Sequence, residues 1–264
     1  MIRRYFTDHV ARSSAELSYY LLFSLFPSLI FLNLIINSFN LSAIDLTERL
    51  SMLLPAQVIG LIEDYILYIA GLKANTLLYA GIVLTIYFVS RAVNSLMLSI
   101  GGAYRLQHQH KLNFLVSMLV TVVLLVSIYL LLGLILLSEN LMTLLAGVFS
   151  IPMAFVKIWN LLRFIIAPIY LFLITTLFYK IVPNKWLKFR QAMPGGIFFV
   201  VVWSMISYLF SYYVANIANY SVLYGSLGAF LILMLWFYMS GIILIMGGHL
   251  NHILLVEKEE QTNF

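Results

Sequence analysis

An arginine in the middle of an apolar run is the residue of this chain with the most chemistry to explain. Arg91 stands within the hydrophobic stretch 77–100, about 11 residues before Gly102, or ~16 Å along a helix. A guanidinium is costly in hydrocarbon and ordinarily faces protein, a partner or water. Asn94 and Ser95 follow three and four positions on and share its helical face as a polar stripe. Glu16, at the boundary of the first apolar run with Arg12, Ser18, Tyr19 and Tyr20 close by, is either a plain interfacial charge or the partner of that cation. Two readings follow. Arg91 either snorkels or pairs with Glu16 to lock a bundle, or Glu16, Arg91, Asn94 and Ser95 form a polar pathway that binds an anionic group.

The remaining candidates for chemistry argue against catalysis. His108 and His110 sit without a nearby carboxylate cluster, and His249 and His252 close the last apolar run. There is no HExxH, no Cys/His array and no Walker loop, and no Ser or Thr stands in a nucleophile-elbow context. No catalytic residue, metal site or cofactor is therefore expected. Cysteine is absent, which removes disulfides and thiolate ligands from consideration.

The elements that position these residues are set by composition. The 264 residues are 63% hydrophobic and only 9% charged, with a mean hydropathy of +1.01. A soluble domain carries about 25% charged residues to cover its water-facing surface, whereas lipid requires no such cover. The expectation is an all-α fold, a polytopic membrane bundle forming one transmembrane domain over 1–264. Six spans are drawn at 16–37, 77–100, 114–137, 158–179, 195–214 and 227–254. Each holds about the 20 residues that cross ~30 Å of hydrocarbon. The polar lead to Ser14 and the long apolar run 17–36 read as a retained first span, since a signal core holds about 7–15 residues.

Six spans put both termini on one side, and basic residues choose the side. Arg3, Arg4, Arg12, Arg105, Lys111, Lys180, Lys185, Lys188, Arg190 and Lys258 fall on the side of the termini, against Arg49, Lys73 and Lys157 opposite. That imbalance places the termini in the cytoplasm of a bacterial plasma membrane. The insert 41–72 lies outside. There Leu46, Leu50, Leu53 and Leu54 repeat at helical spacing behind a Ser42-x-x-Asp45 cap, and Pro55 opens a second helix with Val58, Ile62, Tyr65, Ile66 and Ile69 on one face. Two short amphipathic helices are expected on the bundle mouth or in the lipid interface, as a cover for span ends or as a gate.

Several residues speak to packing and surface. Pro27 and Pro168 interrupt hydrogen bonding in spans one and four, as static kinks or as hinges. Gly225, Gly228, Ser240, Gly241, Gly247 and Gly248 give span six small surfaces for close helix approach. The basic loop with Lys180, Lys185, Lys188 and Arg190 mixes aromatics among its charges and should attract anionic headgroups, by about 1 kcal/mol per basic residue. Topology accounts for those charges, so no nucleic-acid partner is expected.

Taken in order, these landmarks resemble the YihY/BrkB family of bacterial inner-membrane proteins. The match is carried by Ala15-Glu-Leu-Ser-Tyr-Tyr-Leu-Leu-Phe-Ser-Leu-Phe-Pro27, Ser90-Arg-Ala-Val-Asn94, Ala103-Tyr-Arg105, Val182-Pro-Asn184 and Ala192-Met-Pro-Gly195. It continues through Tyr220-Ser-Val-Leu-Tyr-Gly-Ser-Leu-Gly228, Leu235-Trp236 and Gly247-Gly-His-Leu-Asn251. The resemblance implies six spans and a plasma-membrane location, with an older ribonuclease label that these residues do not support. Family members commonly carry an acidic residue where His249 stands here.

The function expected is a non-enzymatic translocator of an amphipathic or lipid-like anionic solute, with membrane lipids as its surroundings. Without a Walker loop, its driving force would be an ion gradient or the solute's own gradient. The competing expectation is a structural or scaffold protein of the cell envelope acting through its basic loops.

Overall fold

Long apolar runs without strand punctuation satisfy their backbone groups internally, and helices are the form that achieves this in lipid. The computed structural model describes residues 2–38, 56–70, 75–104, 114–131, 153–182, 187–216 and 227–262. Among these residues all regular structure is helical. We number the helices α1 (Ile2–Thr7), α2 (Val10–Ser38), α3 (Ala56–Ala70), α4 (Asn75–Ala103), α5 (Phe114–Leu131), α6 (Met153–Ile181), α7 (Phe189–Asn216) and α8 (Leu227–Thr262).

By length and composition, four described helices are able to cross a membrane: Tyr79–Ala103, Phe114–Leu131, Phe189–Asn216 and Leu227–Glu257. α2 and α6 run for 29 residues each, over the expected first and fourth spans. The outer faces are apolar. On α7, Val201, Met205, Tyr208 and Tyr212 form an exposed stripe, and α5 exposes Leu115, Leu119, Val123, Val126 and Leu130. Such surfaces would drive aggregation in water and are ordinary against lipid tails.

α8 is the centre of the arrangement, packing on α2, α7, α4 and α3, while α2 lies along α4 and α6 along α7. Two cores show the chain direction. One joins Val10 and Leu17 of α2 to Leu96 and Ile100 at the close of α4, Tyr179 at the close of α6, Ala192 at the start of α7 and Ile245 late in α8. The other joins Leu29 of α2 to Phe210 and Val214 late in α7 and to Ile232 and Leu233 early in α8. α2 and α7 therefore run one way, and α4, α6 and α8 run the other.

Buried hydroxyls are mostly satisfied within their own helices. Ser18, Ser24 and Ser90 donate to carbonyls three residues back, and Thr85 donates to Gly81 four residues back, all at 2.7–2.8 Å. This keeps polar atoms compatible with an apolar setting.

α3 is the second of the two expected external helices. Ile62 and Ile66 are its most buried residues, Asp64 faces outward, and Tyr65 meets Phe26 edge to face at 5.2 Å. It packs on the later part of α2 and the early part of α8. The first expected helix, with Ser42 to Leu54, lies outside the described residues.

One boundary differs from expectation. α7 begins at Phe189, so Pro194 falls inside it instead of ahead of it. The helix is opened by a reciprocal cap, in which the Gln191 side chain accepts from the Lys188 amide at 2.8 Å while the Gln191 amide donates to the Lys188 carbonyl. Asn251 of α8 then serves the backbone on both sides of the proline. Its Oδ1 accepts from the Gly195 amide at 2.7 Å, and its Nδ2 donates to the Ala192 carbonyl at 3.0 Å.

Candidate functional site

α2 and α4 run antiparallel, so residues four apart on one face residues four apart on the other. Glu16 and Tyr20 of α2 meet Ser95 and Arg91 of α4 as two rungs one helical turn apart, or ~6 Å. In the first rung the buried Ser95 hydroxyl donates to Glu16 Oε2 at 3.0 Å. In the second, Arg91 Nη2 donates to the Tyr20 hydroxyl at 3.4 Å, and the guanidinium carbon lies 5.6 Å from the Tyr20 ring centre. That distance is within the range of a cation–π contact.

Glu16 and Arg91 make their hydrogen bonds to different partners. Glu16 binds Ser95, because the antiparallel register sets position 16 opposite position 95 and position 20 opposite position 91. Two polar atoms of this seam are buried without a partner among the described residues: Arg91 Nε, a donor, and Asn94 Oδ1, an acceptor. Leaving such a group unmet costs about 1–3 kcal/mol, so each is suited to a polar partner.

The seam is not sealed. Glu16 is exposed and Arg91 is only partly covered. From this polar end an aromatic lane runs toward the α3 end of the bundle. Tyr19 packs on Phe23 at 4.6 Å between ring centres, Phe23 on Phe88 at 5.7 Å and Phe88 on Tyr87 at 5.4 Å. Tyr19, Phe23 and Tyr87 are all exposed on the outer face. A charged, hydrogen-bonding head and an adjoining apolar track make the seam amphipathic along its length.

The other sequence-derived residues occupy separate places. Lys180 closes α6, Lys188 and Arg190 are exposed at the start of α7, and Lys185 lies outside the described residues. Pro27 sits against α4, its carbonyl 3.2 Å from where a Cβ on Gly81 would stand. Pro168 is exposed on α6, Gly228 is buried in α8, and Gly225 lies outside the described residues.

The small residues of α8 serve four neighbouring helices. A Cβ on Gly241 would meet Leu17 and Ser14 of α2, and one on Gly248 would meet Ile100 of α4. On the other side, Ser240 accepts from Trp203 Nε1 of α7 at 3.0 Å, and a Cβ on Gly247 would press on the Tyr179 hydroxyl and the Gly195 carbonyl. Tyr179 in turn donates to the Leu244 carbonyl at 2.6 Å. His249, fully buried beside this junction, has Nδ1 3.5 Å from Asp8 Oδ2, so a carboxylate reaches this place from the α1–α2 turn.

Sequence reasoning did not single out Tyr20 as the arginine's partner, Asn251 as a clamp or Asp8 as the neighbour of His249. The first had a usable signal: Tyr20 follows Glu16 by the same four residues that separate Arg91 from Ser95. Among the described residues, no group of three or more His, Asp or Glu side chains is disposed to hold a metal.

Over residues 1–263 the chain matches the family described as virulence factor BrkB. It belongs to that family. This BrkB-family chain is 33% identical over 257 residues to the putative ribonuclease-like protein YfkH of Bacillus subtilis (strain 168), covering 96% of this chain and 94% of that protein. Shorter similarities link it to UPF0761 membrane proteins. One, XAC0937 of Xanthomonas axonopodis pv. citri (strain 306), is 33% identical over 79 residues, 30% of this chain and 19% of the relative. Another, from Pseudoalteromonas atlantica, is 32% identical over 88 residues, 33% of this chain and 29% of the relative. No solved structure matches. The BrkB-family membership and the four long apolar helices identify a membrane protein.

Proposed function

We propose that the protein is a non-enzymatic translocator of an amphipathic, lipid-like anionic solute, engaged at the seam between α2 and α4. The observation that carries this reading is the Arg91 guanidinium. It is held from one side by Tyr20, has its Nε buried without a partner, and stands at the head of an exposed aromatic lane. A phosphate or carboxylate would meet the guanidinium while an apolar tail followed Tyr19, Phe23 and Phe88. In this reading α2 and α6 join the four apolar helices as spans, giving six. Both termini then lie in the cytoplasm of a bacterial plasma membrane, where the exposed Lys188 and Arg190 meet anionic headgroups.

The test is transport by purified protein in proteoliposomes with tail-labelled anionic lipids. Wild-type protein should accelerate transfer between leaflets, and Arg91→Ala should reduce the rate by about tenfold, corresponding to ~1.4 kcal/mol of lost interaction. Equal rates for wild type and Arg91→Ala overturn the assignment. A scaffold role is favoured by a different observation, the tight Gly195–Gly247–Tyr179–Asn251 junction, which fixes the ends of α6, α7 and α8 together. That role predicts no lipid transfer by either protein.

A further inference from the structure

The seam presents more than a cation. Arg91 is only partly covered, with Nη2 on the Tyr20 hydroxyl, so its guanidinium can meet an anion. One turn along the seam, the exposed Glu16 carboxylate is steadied by Ser95 through Oε2. A ligand that is only anionic would satisfy the guanidinium but approach a carboxylate of like charge. The complementary ligand carries an anion and, a short linker away, a positively charged hydrogen-bond donor.

Resting on the reading of the seam as a lipid site, we infer that it selects a phosphodiester headgroup ending in a protonated primary amine. The phosphate lies against Arg91 and Tyr20. The ammonium group reaches the exposed Glu16 carboxylate, about one helical turn from the guanidinium. A quaternary ammonium has the charge but no N–H to donate, and a glycerol headgroup has donors but no cation. Each therefore satisfies only part of the set.

The experiment uses full-length protein in nanodiscs containing equal parts of phosphatidylethanolamine, phosphatidylcholine and phosphatidylglycerol with identical acyl chains. Native mass spectrometry after release reads which lipids stay bound. The amine headgroup should be retained about fivefold over each of the others, the span of a partly exposed ion pair. Glu16→Gln, which retains an acceptor for Ser95, should bring the three headgroups close to parity by lowering retention of the amine headgroup. Arg91→Ala should strip all three.

Should Arg91→Ala unfold, Arg91→Lys serves in its place, keeping the charge but losing the Nε donor, with retention of all three lowered severalfold. Equal retention of the three headgroups by wild type, or a preference that survives Glu16→Gln, overturns the amine assignment. If the arginine variants still lose lipid in that case, the seam remains a lipid site. Undiminished lipid on folded arginine variants defeats the seam reading itself.

Discussion

Asn251 shows how much one buried side chain governs at the residue scale. Its amide spans the backbone on both sides of Pro194, donating to one carbonyl and accepting from one amide, and it is completely buried. Asn251→Asp keeps the acceptor but removes the donor, and Asn251→Leu removes both. Each should cost about 1–3 kcal/mol, the penalty of an unmet buried polar group, with the leucine variant at the upper end. Thermal unfolding in detergent checks this. The residue was legible only as part of a family motif, because its partners lie 56 and 59 positions away. Arg91 was legible by itself, since a charge inside an apolar run asks for an explanation wherever it occurs. Its hydrogen-bond partner was not legible, because charge complementarity points to Glu16, whereas helix register delivers Tyr20.

At the scale of elements, helix identity followed from hydropathy, and helix contacts followed from where side chains are small. A methyl group added at Gly195 or Gly247 would press on backbone and on Asn251 or Tyr179. Gly195→Ala and Gly247→Ala should destabilise by about 1–3 kcal/mol through overpacking. Gly60→Ala in α3 meets nothing within 4 Å and should be neutral or stabilising by up to ~1 kcal/mol. Melting temperatures of the three variants side by side check the contrast. The glycines of α8 announced close packing in advance, but not that Gly241 and Gly247 face different neighbours. The early start of α7 was illegible for a related reason. A proline ahead of a glycine pair reads locally as a helix start, whereas the helix begins six residues before the expected 195, with Asn251 of α8 meeting the backbone on both sides of Pro194.

For the whole molecule, the absence of cysteine makes topology directly measurable. Single cysteines at Lys188 and Asp64 should react with a membrane-impermeant maleimide from opposite faces, Lys188→Cys from the cytoplasm and Asp64→Cys from outside. Labelling of both from one face would overturn the six-span reading. The external cover is open to a separate test. Ile66, buried at 1% exposure between α2 and α8, should on replacement by Ala loosen α3 by about 2–5 kcal/mol, read as faster hydrogen exchange in residues 56–70.

The exposed aromatic lane also determines how a ligand would arrive. A slot that faces sideways into the leaflet is filled by lateral diffusion, so occupancy follows the mole fraction of lipid in the bilayer and not its concentration in water. Diluting a vesicle suspension tenfold should leave the bound fraction unchanged. A tailless phosphate ester, confined to the aqueous phase, should be a feeble competitor even when its headgroup is chemically correct.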